Sequence, residues 1–145
     1  MSYVCGMDLS VPNFPGNSLT LIDTLIQIGW SPFADGQVSF LPLGDCGKFV
    51  WHSEPAHRWE TVREQLVLKD ELGEAVGIVL MWKNSGVGGH FHLYRSSKEI
   101  GIAWTINRKT TRDGFTDHMW YVSRLVGKLA EVGTKIEWFK FTDIP

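Results

Sequence analysis

The chain holds only two cysteines, and no lysine or arginine precedes Lys48. Cys5 and Cys46 lie in no CxxC pair and no cysteine–histidine cluster, so the usual spacing of a structural zinc site is missing. The longest apolar run, IVLM, is far too short to cross a bilayer. The opening MSYVCGMDLS lacks the basic start and the apolar run of a secretory signal. These absences predict a reduced, cytoplasmic protein without a membrane partner.

What the chain does have is the composition of a folded domain. Of its 145 residues 43% are hydrophobic and 12% aromatic, and seven are tryptophan. This length suits one hydrophobic core, and we expect a single domain over residues 1–145 whose first 17 residues, rich in proline and turn residues, are irregular. Tryptophan is costly to expose and is enriched where proteins bind each other.

The two halves of the chain carry opposite charge. Residues 1–75 contain ten acidic and four basic residues, whereas residues 76–145 contain six acidic and ten basic residues. Such a split can steer a charged partner, although chance and internal pairing can also produce it.

Helical patterns occur in three places. The first follows Ser18 or Thr20 and ends at Gly29, and the last follows Thr116 or Asp117. The middle one is expected to begin at Ser53, but its end is open. It either stops near Leu66, with a strand after it, or continues to Gly73, because periodicity favours neither.

The section from Val76 to Ile106 has the alternation of strands. Three strands, at 76–83, 89–95 and 99–106, are separated by short turns, which predicts an antiparallel meander. The glycines of SGVGG precede a strand rather than a Lys-Ser helix start, so they predict a turn and not a phosphate loop. The fold class is therefore α+β: one antiparallel sheet with about three helices packed on it.

Two histidines in this meander are candidates for chemistry. His90, His92 and Tyr94 share one face of a strand, opposite Phe91 and Leu93. Two histidines can ligate a metal or assist RNA cleavage, but no third ligand or paired acid is assigned to them. A solvated or partner-facing strand surface explains them equally, and we predict no metal, no cofactor and no catalytic set. A small His-dependent hydrolase or nuclease remains a third alternative.

A basic loop follows the meander. Arg108, Lys109 and Arg112 lie near Trp104 and Tyr94, which suggests a nucleic-acid-binding module as the second alternative. The acidic half and a pI near 6.2 argue against nucleic acid as the partner.

Three segments, WKNSGVGGHFHLY, IAWTINRKTTRDG and FTDHMWYVSRLV, resemble the small, tryptophan-rich cytoplasmic immunity proteins of bacterial contact-dependent growth inhibition and polymorphic toxin systems. The resemblance covers roughly residues 50–130. It implies a non-enzymatic protein that binds one toxin C-terminal domain, often a nuclease with a basic cleft. These proteins share no catalytic signature, so the resemblance assigns no functional residue.

The acidic half independently offers a complement to a basic toxin. We expect the partner surface to combine acidic side chains of residues 45–74 with exposed tryptophan. The expected contacts are Asp45, Glu54, Glu60, Glu64, Asp70, Glu71, Glu74, Trp51 and Trp82, with Trp59 as a further candidate.

Overall fold

One eight-stranded antiparallel sheet carries the helices on one of its faces in the computed structural model, which describes residues 4–144. The strands are β1 (Val4–Ser10), β2 (Trp30–Ser31), β3 (Gln37–Phe40), β4 (His52–Pro55), β5 (Val76–Trp82), β6 (Gly88–Tyr94), β7 (Glu99–Ile106) and β8 (Trp138–Ile144). The helices are α1 (Ser18–Ile28), α2 (Trp59–Glu71), α3 (His118–Arg124) and α4 (Val126–Glu131), and a 3₁₀ turn spans Ala56–Arg58. The predicted α+β class is confirmed. Within the described part of the chain, no helix is long and apolar enough to span a bilayer.

The sheet has the strand order β4-β3-β5-β6-β7-β1-β8, and β2 pairs with β5 beside β3. The predicted meander is confirmed, because β5, β6 and β7 pair in succession and antiparallel. Every residue of β5 is buried, as its two apolar faces require of a central strand. The register shifts between Gly88 and His90. There a Cβ on Gly89 would lie 2.4 Å from the Ala103 carbonyl oxygen, so only glycine fits.

The expectation of an irregular N-terminus is wrong for residues 4–10, while residues 1–3 lie outside the described residues. Strand β1 is inserted between β7 and β8. Its residues alternate, so that Cys5, Met7 and Leu9 enter the core. The turn residues that suggested irregularity begin only at Pro12, after the strand has ended.

The helix starts differ from the expected ones. Asn17, not Ser18 or Thr20, caps α1 by accepting a hydrogen bond from the Thr20 amide, and Gly29 ends the helix as expected. Ser53 caps nothing: it lies in β4, and its hydroxyl contacts that of Ser39 at 2.8 Å. Its strand pairing outweighs its capping preference.

Of the two alternatives for residues 66–75, the structure has the longer helix. Helix α2 continues to Glu71, and the chain then turns into β5. The pattern predicted as one final helix forms α3 and α4, which meet at Leu125 with φ −114° and ψ −70°. Asp117 caps α3 by accepting a hydrogen bond from the Trp120 amide.

Aromatic side chains join the sheet to the helical layer. The Trp30 ring contacts those of Trp82, Phe91 and Trp104 at centroid distances of 5.4–5.9 Å. Trp104 also stacks on Tyr121 of α3 at 3.9 Å. The Trp30 Nε1–H donates to the Arg124 carbonyl at 3.0 Å, so the buried indole keeps a partner.

A buried carboxylate ties α1 to α2. Asp70 is 1% exposed and accepts hydrogen bonds from the backbone amide and hydroxyl of Ser18. An Asp70→Ala variant leaves both Ser18 donors without this acceptor, and we expect it to lower the free energy of unfolding by about 2 kcal/mol. Urea unfolding followed by circular dichroism measures the loss. The control, Glu71→Ala at the exposed neighbouring position, should change stability by less than about 0.5 kcal/mol; equal losses would contradict the assigned role.

Candidate functional site

A loop, residues 41–51, covers part of the sheet face that the helices leave free. The ring of Trp51 contacts those of His90 and His92 at 4.4 and 5.5 Å, and Phe49 contacts His92 at 5.4 Å. The loop approaches β5 at Gly77, where a Cβ would lie 2.5 Å from Leu41 Cδ1 and 3.0 Å from Trp51 Cη2. The absence of a side chain at Gly77 therefore allows this loop to lie against the sheet.

Polar contacts fix the shape of the covering loop and its position on α2. The Asp45 carboxylate accepts hydrogen bonds from the amides of Phe49 and Val50, each at 2.9 Å, and these bonds lower the pKa of Asp45. Lys69 is buried, with 1% of its surface exposed, and its ammonium group donates to the Leu41 carbonyl at 3.1 Å. Burial lowers the pKa of Lys69. The first half of the loop is thereby fixed to α2.

The two histidines beneath this loop lie side by side, as strand alternation predicts. His90 Nδ1 lies 2.6 Å from the Thr105 hydroxyl. Burial lowers the pKa of both imidazoles, and the neighbouring His92 lowers that of His90 further. The lowered pKa values favour the neutral form of both rings at pH 7. Among residues 4–144, no three histidine, cysteine or acidic side chains come together as metal ligands would.

The outward side of α2 carries a stripe of acidic and apolar residues. Glu60, Glu64, Leu68 and Leu72 follow each other at intervals of four, and all are exposed, the two leucines by 49% and 70%. Leu43 of the covering loop lies beside this stripe, because its amide donates to the Gln65 side chain. We name these five residues, with Glu71, the α2 outer face.

A groove of about 300 Å³ runs along the α2 outer face. Val67 and Leu68 supply its apolar lining, while Glu60 and Glu64 border it. Arg63 also lines the groove, but its guanidinium pairs with Asp23 of α1. Within residues 4–144, no cation lies within ion-pair distance of Glu60, Glu64 or Glu71. The groove therefore has an apolar lining with the Glu60 and Glu64 carboxylates at its border, and the Arg63 guanidinium is attracted to Glu60 as well as to Asp23.

Three residues expected at the partner surface lie elsewhere. Asp45, Asp70 and Trp82 are 7%, 1% and 8% exposed, so they are corrected to structural roles. The first two carboxylates serve backbone amides, and Trp82 packs on Trp30 in the core. The expectation failed because the position of an acidic residue in the sequence does not tell whether its side chain is buried or exposed.

The remaining expected residues divide into two groups. Glu60, Glu64 and Glu71 share the α2 outer face, whereas Glu54 pairs with Arg58 at 3.5 Å. Glu74 accepts a hydrogen bond from the Cys46 amide. Trp51 lies on the histidine pair, and Trp59 packs edge-on against Phe33. Leu43, Leu68 and Leu72 were not expected at the surface, although the interval of four along α2 is visible in the sequence.

The basic loop serves the fold. Arg108 donates to the Thr116 hydroxyl and the Gly114 carbonyl at 2.9 and 3.3 Å. The Lys109 ammonium lies over the Trp120 ring, while Arg112 is exposed. Tyr94, 40% exposed, lies at the far end of β6 from this loop. Tyr94 therefore lies apart from the three basic residues, and two of these, Arg108 and Lys109, make contacts within the fold.

Comparison with known proteins gives no neighbour: no protein-family model, curated protein or solved structure matches this chain. The site is accordingly interpreted from its own geometry.

The histidine pair makes stability depend on pH. The folded state lowers both pKa values below the ordinary value of about 6.5 that the unfolded chain restores. The unfolded chain therefore binds protons more readily than the folded protein. The contribution of the two histidines to the free energy of unfolding is fully present above about pH 6.5 and is lost as the pH drops below it. We expect the free energy of unfolding to fall less between pH 7.5 and 5.5 in a His90→Asn/His92→Asn variant than in the wild type.

Urea unfolding at the two pH values measures this difference. An identical fall in the double variant and the wild type would refute the assignment.

Proposed function

We propose that this chain is a non-enzymatic immunity protein that acts in the cytoplasm and neutralises a bacterial toxin domain by binding it through the α2 outer face. The observation that supports this most directly is the acidic-bordered groove on that face. Three further features support it: exposed leucines beside the groove, an anchored loop next to it and the uneven charge of the chain.

The groove has the chemistry to accept a lysine or arginine side chain. The methylene stem of such a side chain packs on Val67 and Leu68, while its charged end reaches Glu60 or Glu64. Leu68 and Leu72 supply apolar contact beside the ion pair, so that the pair is shielded from water. A basic partner surface thus gains both attraction and buried apolar area.

Such a surface fits a nuclease toxin in particular. A nuclease attracts its substrate with a basic cleft, and a protein that presents carboxylates competes with phosphate for the same lysines and arginines. Long-range attraction speeds the encounter, and the apolar contacts slow dissociation. Binding there blocks the substrate surface without any chemical step by the immunity protein.

Charge reversal at the groove tests the proposal. The toxin domain encoded by the neighbouring gene is co-expressed with the wild type and with a Glu60→Lys/Glu64→Lys variant. We expect the wild type to protect the cells and the variant to fail. Titration calorimetry with the purified toxin domain should show affinity reduced at least about tenfold.

A matched control reverses two acidic residues away from α2. The Asp113→Lys/Glu131→Lys variant changes net charge equally, and both positions are exposed. It should protect like the wild type. If both double variants bind equally well, or if the wild type forms no complex with the toxin domain, the proposal fails.

A further inference from the structure

Strand β8 forms an outer edge of the sheet and carries exposed aromatic side chains. It pairs with β1 on one side, and no strand within residues 4–144 pairs with its other side. Trp138, Phe139, Phe141 and Ile144 are 36–58% exposed on it. Natural proteins protect the outer edge of a sheet with charge, proline or a covering segment, because unpaired amides and carbonyls bind other strands. Here one lysine, Lys140, is the only basic residue in the strand.

The helical layer also stops short of β8. A groove of about 670 Å³ separates α4 from the strand, with Val126, Ala130, Ile136 and Phe139 in its lining. Phe115 and Met119, 57% and 69% exposed, lie at the other end of this edge. Their neighbour Thr116 donates from its amide and hydroxyl to Asp143 at 3.2 and 2.8 Å.

The edge is held in place despite its exposure. The ring of His118 stacks on that of Phe141 at 4.1 Å, and His118 Nε2 lies 3.4 Å from the Asp143 carboxylate. Seven consecutive residues of β8 pair with β1. A strand fixed in this way loses little conformational entropy when another strand binds.

We propose that a second copy of this chain binds here, so that two β8 strands pair antiparallel about a two-fold axis at Phe141. In this register Phe141 faces its own counterpart, Lys140 faces Thr142 and Phe139 faces Asp143 of the second copy. No like charges lie directly opposite, and Asp8 lies across from Lys140 on β1. Moving the axis to Lys140 places two lysines opposite each other, which disfavours that register.

The charge around β8 favours a second copy over a strongly charged partner. Lys135 and Lys140 are balanced by Glu137 and Asp143, so the edge does not repel itself. The α2 outer face contains three carboxylates and no basic residue, so it repels a second copy of itself. Two-fold pairing of identical surfaces is the commonest way in which soluble proteins associate.

The exposed apolar area near β8 approaches the area that such a pair buries. Each large side chain exposed by 36–69% loses on the order of 100 Å² of surface when covered. Together with the strand backbone, these side chains would bury an area close to that of a standard interface, which is about 800 Å² per copy. They are Val4, Phe115, Met119, Trp138, Phe139, Phe141 and Ile144.

Sedimentation equilibrium tests the association of the wild type. The protein concentration is varied from about 1 to 100 µM, which is roughly the range in which a standard interface assembles. We expect a monomer–dimer equilibrium. Phe141→Asp and Phe141→Lys place like charges at the axis, so each variant alone should be monomeric, whereas their mixture should recover the dimer. The control Leu72→Lys, which replaces a more exposed apolar residue on α2, should leave the equilibrium unchanged.

Cysteine trapping tests the register and does not depend on the charged variants folding well. In a Cys46→Ser background, Phe141→Cys should form an intermolecular disulfide under mild oxidation, because paired Cα atoms across a sheet lie within disulfide reach. Lys140→Cys should cross-link much more slowly, since residue 140 faces residue 142. A wild type that stays monomeric at the highest concentration, or equal cross-linking at both positions, overturns the proposal.

Discussion

An antiparallel sheet can leave one face in water, and in residues 4–144 the helices pack against only one face of this sheet. Residues 41–51 cover part of the other face, above β5 and β6, where Trp51 lies on the two histidines. That cover depends on the contact between Leu41 and Gly77 and on the Asp45 carboxylate. The extent of the helical layer and of the covering loop therefore determines which surfaces stay available for partners.

The two surfaces that remain open differ in chemistry. The α2 outer face joins carboxylates to exposed leucines, which suits a basic partner, whereas the β8 edge is balanced in charge and rich in aromatic residues. Helix α2 packs near β4 and β5, and β8 is at the opposite end of the strand order. A pair formed through β8 therefore leaves both acidic faces free at its outer ends.

Local patterns were sufficient to predict the meander, the α+β class and the shared face of His90 and His92. They failed where a distant partner decides the conformation. Ser53 has the side chain of a helix cap but pairs with Ser39, and the residues before Pro12 become a strand because β7 and β8 lie on either side. Asp70 and Glu71 are adjacent in sequence, yet only contact with Ser18 makes one of them part of the core.

The insertion of β1 between β7 and β8 constrains the order of folding. Gly6 pairs with Ala103 and with Thr142, so β1 finds both of its neighbours only after residues more than 90 positions further along the chain have been synthesised. Closing such long loops is slow, and the apolar side of β1 stays exposed during synthesis until β7 has formed. Within residues 4–144, β8 pairs with β1 and no other strand, so this side of the sheet is complete only when β1 is already in place between its two neighbours.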